Sequence, residues 1–219
     1  METQYMIKFR HLANLLLKPF PDILWRYPAN ENAIYLTFDD GPYPPVTEPL
    51  LDFLNDHDIP ATFFLSGENI FRYRHQIRQL DYSPHQLGSH YFHHFPLWGL
   101  SPRKLRKGIL LTDRLISELL RQEVALFRPP YGIFSRQMLP VLQECQKRMV
   151  LWSIMAYDFK WSRQKIIHHL FTNLRPGDII LLHDSPKTAN VIIDVLRELT
   201  NFASERGWTF KAISTDFAH

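Results

Sequence analysis

Tyr35-Leu-Thr-Phe-Asp-Asp-Gly-Pro42 is a largely apolar run that stops on two adjacent carboxylates and a turn. Ile34–Phe38 is interrupted only by Thr37, as expected for a parallel strand buried on both faces. A strand ending on Asp39-Asp40 delivers both acids to one end of a sheet, on opposite sides of the backbone. One can then hold a metal while the other works as a base. Alone, Asp-Asp-Gly-Pro is ordinary turn chemistry, so the reading depends on whether the layout recurs.

It does recur. Strand-like runs are expected at Ala33–Asp39, Ala61–Leu65, Gln86–Gly88, Ala125–Arg128, Met149–Met155, Asp178–His183 and Thr209–Ile213. Amphipathic helix patterns lie between them near 46–57, 68–80, 101–122, 135–146, 162–173 and 188–206. Ser101-Pro102, Ser162 and Thr188 offer helix starts, and Gly207 a stop. Alternation of this kind is α/β architecture, with helices covering a parallel sheet or barrel. The first strand ends in Asp39-Asp40 and the third in His90. The fourth ends in Arg128-Pro-Pro-Tyr131, the fifth runs on to Asp158, and the sixth ends in His183-Asp184. In parallel α/β folds these ends form one face, where active sites are built.

Bulk properties narrow the class. With 219 residues, 45% of them hydrophobic, the chain is long enough for one domain with a real core. A net charge of +3 is too small and too spread out for a nucleic-acid binder. Cys145 is the sole cysteine, so no intramolecular disulfide forms. No run reaches the roughly 18 apolar residues of a membrane span. Leu15-Leu16-Leu17 is cut off by Lys18-Pro19, too short for a signal-peptide core. The expected location is therefore cytoplasmic, with an envelope-associated one left open. Residues 1–30 read as an N-terminal extension and 31–219 as the catalytic domain. Residues 6–17 form either a helix packed over the domain or a weak contact with a membrane surface.

His90 and His94 are four apart in Gly88-Ser-His-Tyr-Phe-His-His94. That spacing points both imidazoles the same way on one turn, as zinc binding requires; His93 is the competing second ligand. With Asp40 the set becomes two histidines and a carboxylate, with positions left for water and substrate. It suits one divalent ion, zinc first, with cobalt, nickel or manganese as alternatives. Because Pro129 and Pro130 lack an N–H, the first free backbone donor after Arg128 is that of Tyr131, placed to meet an oxyanion. Arg128 can pair with a carboxylate and fix it. His183 beside Asp158 would be an oriented proton donor. Asp184 reads as a cap for the next loop. Tyr157, Phe159 and Trp161 are candidates to line a sugar groove, and Trp152 a core residue.

In this order and spacing the five segments resemble the polysaccharide deacetylase family, the NodB-type domain of carbohydrate esterase family four. The resemblance covers about residues 32–215. It implies a distorted (β/α) barrel of about seven parallel strands and a metal-dependent hydrolase that removes acetyl groups from sugars. It also implies roles for individual residues. Asp39 would be the general base, held by Arg128, and Asp40, His90 and His94 the metal ligands. The Tyr131 N–H would bind the oxyanion, His183 would be the general acid oriented by Asp158, and Leu181 would shape the pocket for the acetyl methyl. The chain departs from the pattern at Tyr91 (for Ser or Thr), Met155 (for Asp) and Phe159 (for Trp). None of the three removes a ligand, base or acid, and Tyr91→Ser is expected to leave activity intact.

The expected partner is an N-acetylated carbohydrate, polymer or oligomer; the oligomeric state is not legible. Two other readings stand beside deacetylation. One is hydrolysis of another non-peptide amide, such as a formamide, cyclic imide or lipid-linked sugar amide, at the same metal site. The other is a non-catalytic carbohydrate-binding domain on a deacetylase scaffold.

Overall fold

A computed structural model describes Leu17 and residues 20–215. Residues 6–16, part of the segment expected to touch either the domain or a membrane surface, lie outside that range. Among the described residues no helix is long and apolar enough to cross a membrane.

Among the described residues eight short strands run parallel: β1 (Ala33–Asp39), β2 (Thr62–Leu65), β3 (Gln86–Ser89), β4 (Leu126–Phe127), β5 (Arg148–Met149), β6 (Ile154–Met155), β7 (Ile179–His183) and β8 (Thr209–Phe210). Six helices of the described residues cover them: α1 (Pro44–Asp56), α2 (Gly67–Arg72), α3 (Pro102–Leu120), α4 (Met138–Glu144), α5 (Arg163–Asn173) and α6 (Ile192–Glu205). The sheet order is β5-β4-β3-β2-β1-β7-β6, with β8 beside β1. The two edges are consecutive in sequence. The single strand expected over Met149–Met155 is therefore split: its first half pairs with β4 and its second with β7. Residues 150–153 cross between the edges and close a distorted barrel.

Residues 20–28 help that closure. Leu24 N–H donates to Met149 O and Leu24 O accepts from Leu151 N–H, while Tyr27 N–H donates to Gly177 O. Arg26 Nε lies 3.0 Å from Asp178, a fully buried carboxylate that also accepts from Ser153 Oγ and Arg175 N–H.

Alternation along β1 divides the core in two. Ile34, Leu36 and Phe38 face the helices, in a cluster with Leu50, Leu54, Ile166, Val195 and Leu199. Ala33 and Tyr35 face the barrel interior, with Phe64, Leu126, Val150 and Ile179. Pairing β1 with β7 sets Tyr35 opposite Ile179, Thr37 opposite Leu181 and Asp39 opposite His183. Asp39 and His183 are thus the uppermost rungs of one inward-facing ladder.

Helix boundaries moved where tertiary contacts overrode pattern. The helix expected over 68–80 ends at Arg72, and a 3-10 turn follows at Ile77–Gln79. The last helix begins at Ile192, not 188, because Thr188 Oγ1 is used by the loop, donating to the carbonyls of His183 and Ser185. It ends at Glu205, two residues before Gly207. Ser101 Oγ accepts from Lys104 N–H as an N-cap, whereas Ser162 makes no side-chain cap bond.

Arg26→Ala should lower unfolding free energy by about 2 kcal/mol, the scale of a hydrogen bond to a buried charge. Urea denaturation checks this. An unchanged midpoint would show that the strap adds nothing to barrel closure.

Candidate active site

The upper mouth of the barrel collects the inward-facing residues just past the packed layer. Arg128 follows β4 and turns back into the interior with no exposed surface. Its Nη1 donates to Asp39 Oδ1 and to Thr37 Oγ1, both at 2.7 Å. Nε donates to Val150 O and Nη2 to Leu151 O. The guanidinium lies 4.0 Å from the centre of the Phe64 ring, a cation–π contact strengthened by desolvation. Gly88 makes this stack fit, because a Cβ there would collide with Phe64. Thr37, the one polar interruption of β1, passes its own proton to Ile180 O at 2.7 Å. Sequence reading left Thr37 without a task.

Asp39 is 3% exposed. Arg128 holds its Oδ1, leaving Oδ2 as the remaining acceptor, 3.8 Å from His90 Nε2. Asp40 has the opposite strand parity, but its φ of 77° turns it back toward the mouth. Its Oδ1 comes within 3.2 Å of His94 Nε2 and 3.7 Å of His90 Nε2.

His90 is buried, and its Nδ1 sits 2.8 Å from Arg128 O. Against a carbonyl that nitrogen must donate, so Nε2 carries the lone pair. Burial pushes the His90 pKa down to about 3, with Asp40 opposing, so the ring is neutral. One ligand atom each from Asp40, His90 and His94 lies within 4.8 Å of the others. The 3.2 Å approach of His94 lacks hydrogen-bond geometry, so Asp40 Oδ1 and His90 Nε2 are buried without partners. Orphaned buried polar atoms are costly, and three converging donors of this kind fit a divalent cation. His93 points elsewhere, with Nδ1 3.1 Å from Glu68.

His183 faces this cluster from β7. Its Nδ1 is 2.8 Å from Asp158 Oδ1, and its backbone N–H donates to Asp158 Oδ2 at 2.7 Å. Asp158 therefore grips both ring and backbone, leaving Nε2 for proton transfer. Burial alone would lower the His183 pKa. The Asp158 hydrogen bond and charge, helped by Asp39 and Asp40, override it and raise the value to about 9.

Tyr131 has φ 61° and its ring lies 4.5 Å from that of His94. Its turn is closed by the N–H groups of Gly132 and Ile133, on Pro129 O and Pro130 O, and not by that of Tyr131. Phe159 stands edge-on to His183 at 5.2 Å. Leu181, two residues before His183 on the same face, is buried beneath it. Trp152 is only partly buried, packed on the inner cluster. Tyr157 and Trp161 stack on each other at 4.2 Å.

Asp184 is not a loop cap. It is fully buried against α1, where Thr47 Oγ1 donates to its Oδ2 at 2.7 Å, and burial raises its pKa to about 8. Its place directly after an apolar strand was the available signal. Concavity alone does not mark the site: a groove of about 860 Å³ lined by Arg78, Tyr82, His85 and Glu118 lies at the other end of the strands.

Comparisons with known proteins bear on the family and the fold. A family model described as polysaccharide deacetylase matches residues 26–150. A peptidoglycan-N-acetylglucosamine deacetylase of Bacillus cereus is 30% identical over 201 residues, 90% of this chain and 94% of that protein. A chitooligosaccharide deacetylase of Azorhizobium caulinodans is 36% identical over 161 residues, 73% of this chain and 77% of that one. The crystal structure of a peptidoglycan N-acetylglucosamine deacetylase in complex with 4-naphthalen-1-yl-N-oxidanyl-benzamide superposes with a TM-score of 0.84 at 28% identity, covering 90% of this chain and 92% of that one. A pseudoenzyme from Bacillus anthracis shares the fold, with a TM-score of 0.78 at 23% identity over 87% of this chain and 67% of that one.

In metal-free protein, His183 should titrate near 9 by NMR, above its ordinary 6.5. The folded-state value is the raised one. Its stabilising effect is therefore complete below pH 6.5 and disappears as pH rises through about 9. Asp158→Asn should return the titration toward or below 6.5. An unshifted wild-type histidine would show that Asp158 does not hold it.

Proposed function

Because the chain belongs to the polysaccharide deacetylase family, we propose that it removes the acetyl group from N-acetylated sugars of a glycan by metal-assisted hydrolysis. One observation supports this reading: Asp39 and His183 sit on adjacent strand ends, beside three converging donors with two orphaned atoms. N-acetylglucosamine-containing oligomers are the favoured substrate, since relatives over most of this length are named for peptidoglycan and chitooligosaccharide deacetylation.

Asp40, His90 and His94 would hold the ion. Two imidazoles and one carboxylate suit zinc best, and cobalt, nickel or manganese can use the same donors. When bound, the cation supplies Lewis acidity, polarising the amide carbonyl and lowering the pKa of water toward neutrality.

The chain's own residues do the rest. Asp39 takes a proton from the attacking water on Oδ2, while Arg128 keeps Oδ1 and prevents the carboxylate from turning away. The water oxygen bonds to the carbonyl carbon, and the Tyr131 N–H donates to the oxygen on which charge develops. His183, charged and gripped by Asp158, delivers its Nε2 proton to the departing nitrogen as the C–N bond breaks. Acetate and a free amine leave. Leu181 forms the apolar floor for the methyl group, and Phe159 and Tyr131 flank the sugar. Nothing in this set is missing for catalysis, which disfavours the binding-module reading.

Acetate release from N-acetylglucosamine oligomers should vanish after metal stripping and return with zinc, cobalt or nickel. Asp39→Asn should keep the metal and lose turnover about 10²- to 10⁴-fold, the usual worth of a general base; full activity would reject its role. His94→Ala should lose metal, and retained zinc would point back to His93. Tight metal binding with release only from small amides would instead favour the second amidase reading.

A further inference from the structure

His90 and His94 are fixed by different means. His90 is locked twice, its N–H donating to Leu65 O and its Nδ1 to Arg128 O. His94 is about one-third exposed and rests against the Tyr131 ring. Its position therefore depends on the loop that carries it. From Phe92 to Pro96 no residue of that loop is buried; Tyr91 and Leu97, three positions to either side of His94, are the buried side chains that flank it.

We propose that Tyr91 and Gly108 form a positioning pair that sets the separation of the two histidines. The inference rests on the reading of Asp40, His90 and His94 as metal ligands. The Tyr91 ring, 5% exposed, enters a cluster with Leu97, Leu105, Ile109 and Phe127. Its hydroxyl donates to Lys104 O at 3.1 Å, inside α3. A Cβ on Gly108 would lie 2.2 Å from the Cε2 and Cζ atoms of that ring. The Phe95 ring meets that of Tyr91 edge-on at 5.9 Å, just beyond His94. On the other side, the Tyr91 and Phe92 carbonyls accept from the N–H groups of Gly67 and Glu68, at the start of α2.

Two locally unfavourable choices meet in this one contact. Tyr91 has φ 66°, a region that a bulky residue occupies only when its surroundings enforce it. Gly108 lies inside α3, where alanine would favour the helix more. Inserting the ring over the glycine accounts for both. It reverses the expectation that Tyr91→Ser is silent, because serine would leave the loop without its anchor.

The test is zinc affinity, measured by competition with a chromophoric chelator, together with the visible spectrum of the cobalt-loaded protein. Tyr91→Ser and Gly108→Ala should each weaken zinc binding about 10- to 100-fold, the usual effect of losing support behind a metal ligand. Both should alter the cobalt spectrum. Tyr91→Phe keeps the ring and should recover most of the affinity. Gly108→Ala should add little to Tyr91→Ser, because the methyl then enters vacated space; full additivity would overturn the pairing. A merely structural role would lower the melting temperature of the metal-free protein while leaving affinity and spectrum unmoved, and that result sinks the proposal. If Tyr91→Ser fails to fold, Gly108→Ala decides alone, since it displaces the ring without deleting it. Wild-type protein that binds no zinc would overturn the metal site itself, and this inference with it. Tight wild-type binding with unchanged variants overturns only the pair.

Discussion

The buried ion pair between Arg128 and Asp39 is the contact around which the upper barrel is assembled. Arg128 spends its donors on β1 through Asp39 and Thr37, and on the crossing segment through the carbonyls of Val150 and Leu151. A charge taken out of water is tolerated only when paired and fully hydrogen-bonded. Replacing such a pair by apolar side chains is often neutral or stabilising, whereas deleting one partner costs about 3–5 kcal/mol. Stability therefore does not explain why the pair exists. What it provides is an Asp39 with one immobilised oxygen and one available oxygen, beside the donors that would hold a cation.

Histidine chemistry in this chain shows how far environment outranks residue type. His90 is buried with its Nδ1 on a carbonyl, and its pKa falls to about 3, leaving a neutral ring with a free lone pair. His183 is also largely buried, yet the carboxylates around it raise its pKa to about 9, so it carries a proton to give. His85 is pushed down to about 4 by burial and accepts from Ala61 N–H, a structural task far from the mouth. Burial disfavours the charged form in all three, and only an adjacent anion reverses it.

Much of this was legible in the chain. Apolar runs that stop on Asp39-Asp40, His90, Arg128 and His183 identified strands, their parallel arrangement and the face that carries chemistry. Sequence could not show that the 149–155 segment supplies both sheet edges, because an apolar stretch does not declare its partners. Nothing in it marked Arg26 as reaching Asp178 or Thr37 as serving Arg128, and the apolar run before Asp184 pointed to its burial but not to Thr47 as its partner. Each of these is a polar group whose meaning depends on what lies opposite it.

Alternation and strand ends are local properties, fixed within a few residues by backbone geometry, so the fold class and the list of chemically useful residues were determined by the chain itself. Their arrangement was not. Asp39 meets Arg128 across 89 positions and His183 meets Asp158 across 25. His93 and His94, neighbours in sequence, end beside different carboxylates, Glu68 and Asp40. Tyr91, an apparent blemish in a family pattern, becomes an anchor only when Gly108 is brought beneath it. Hydrogen bonding, burial and ring packing act over a few ångströms of space, and only tertiary folding decides which residues share those ångströms.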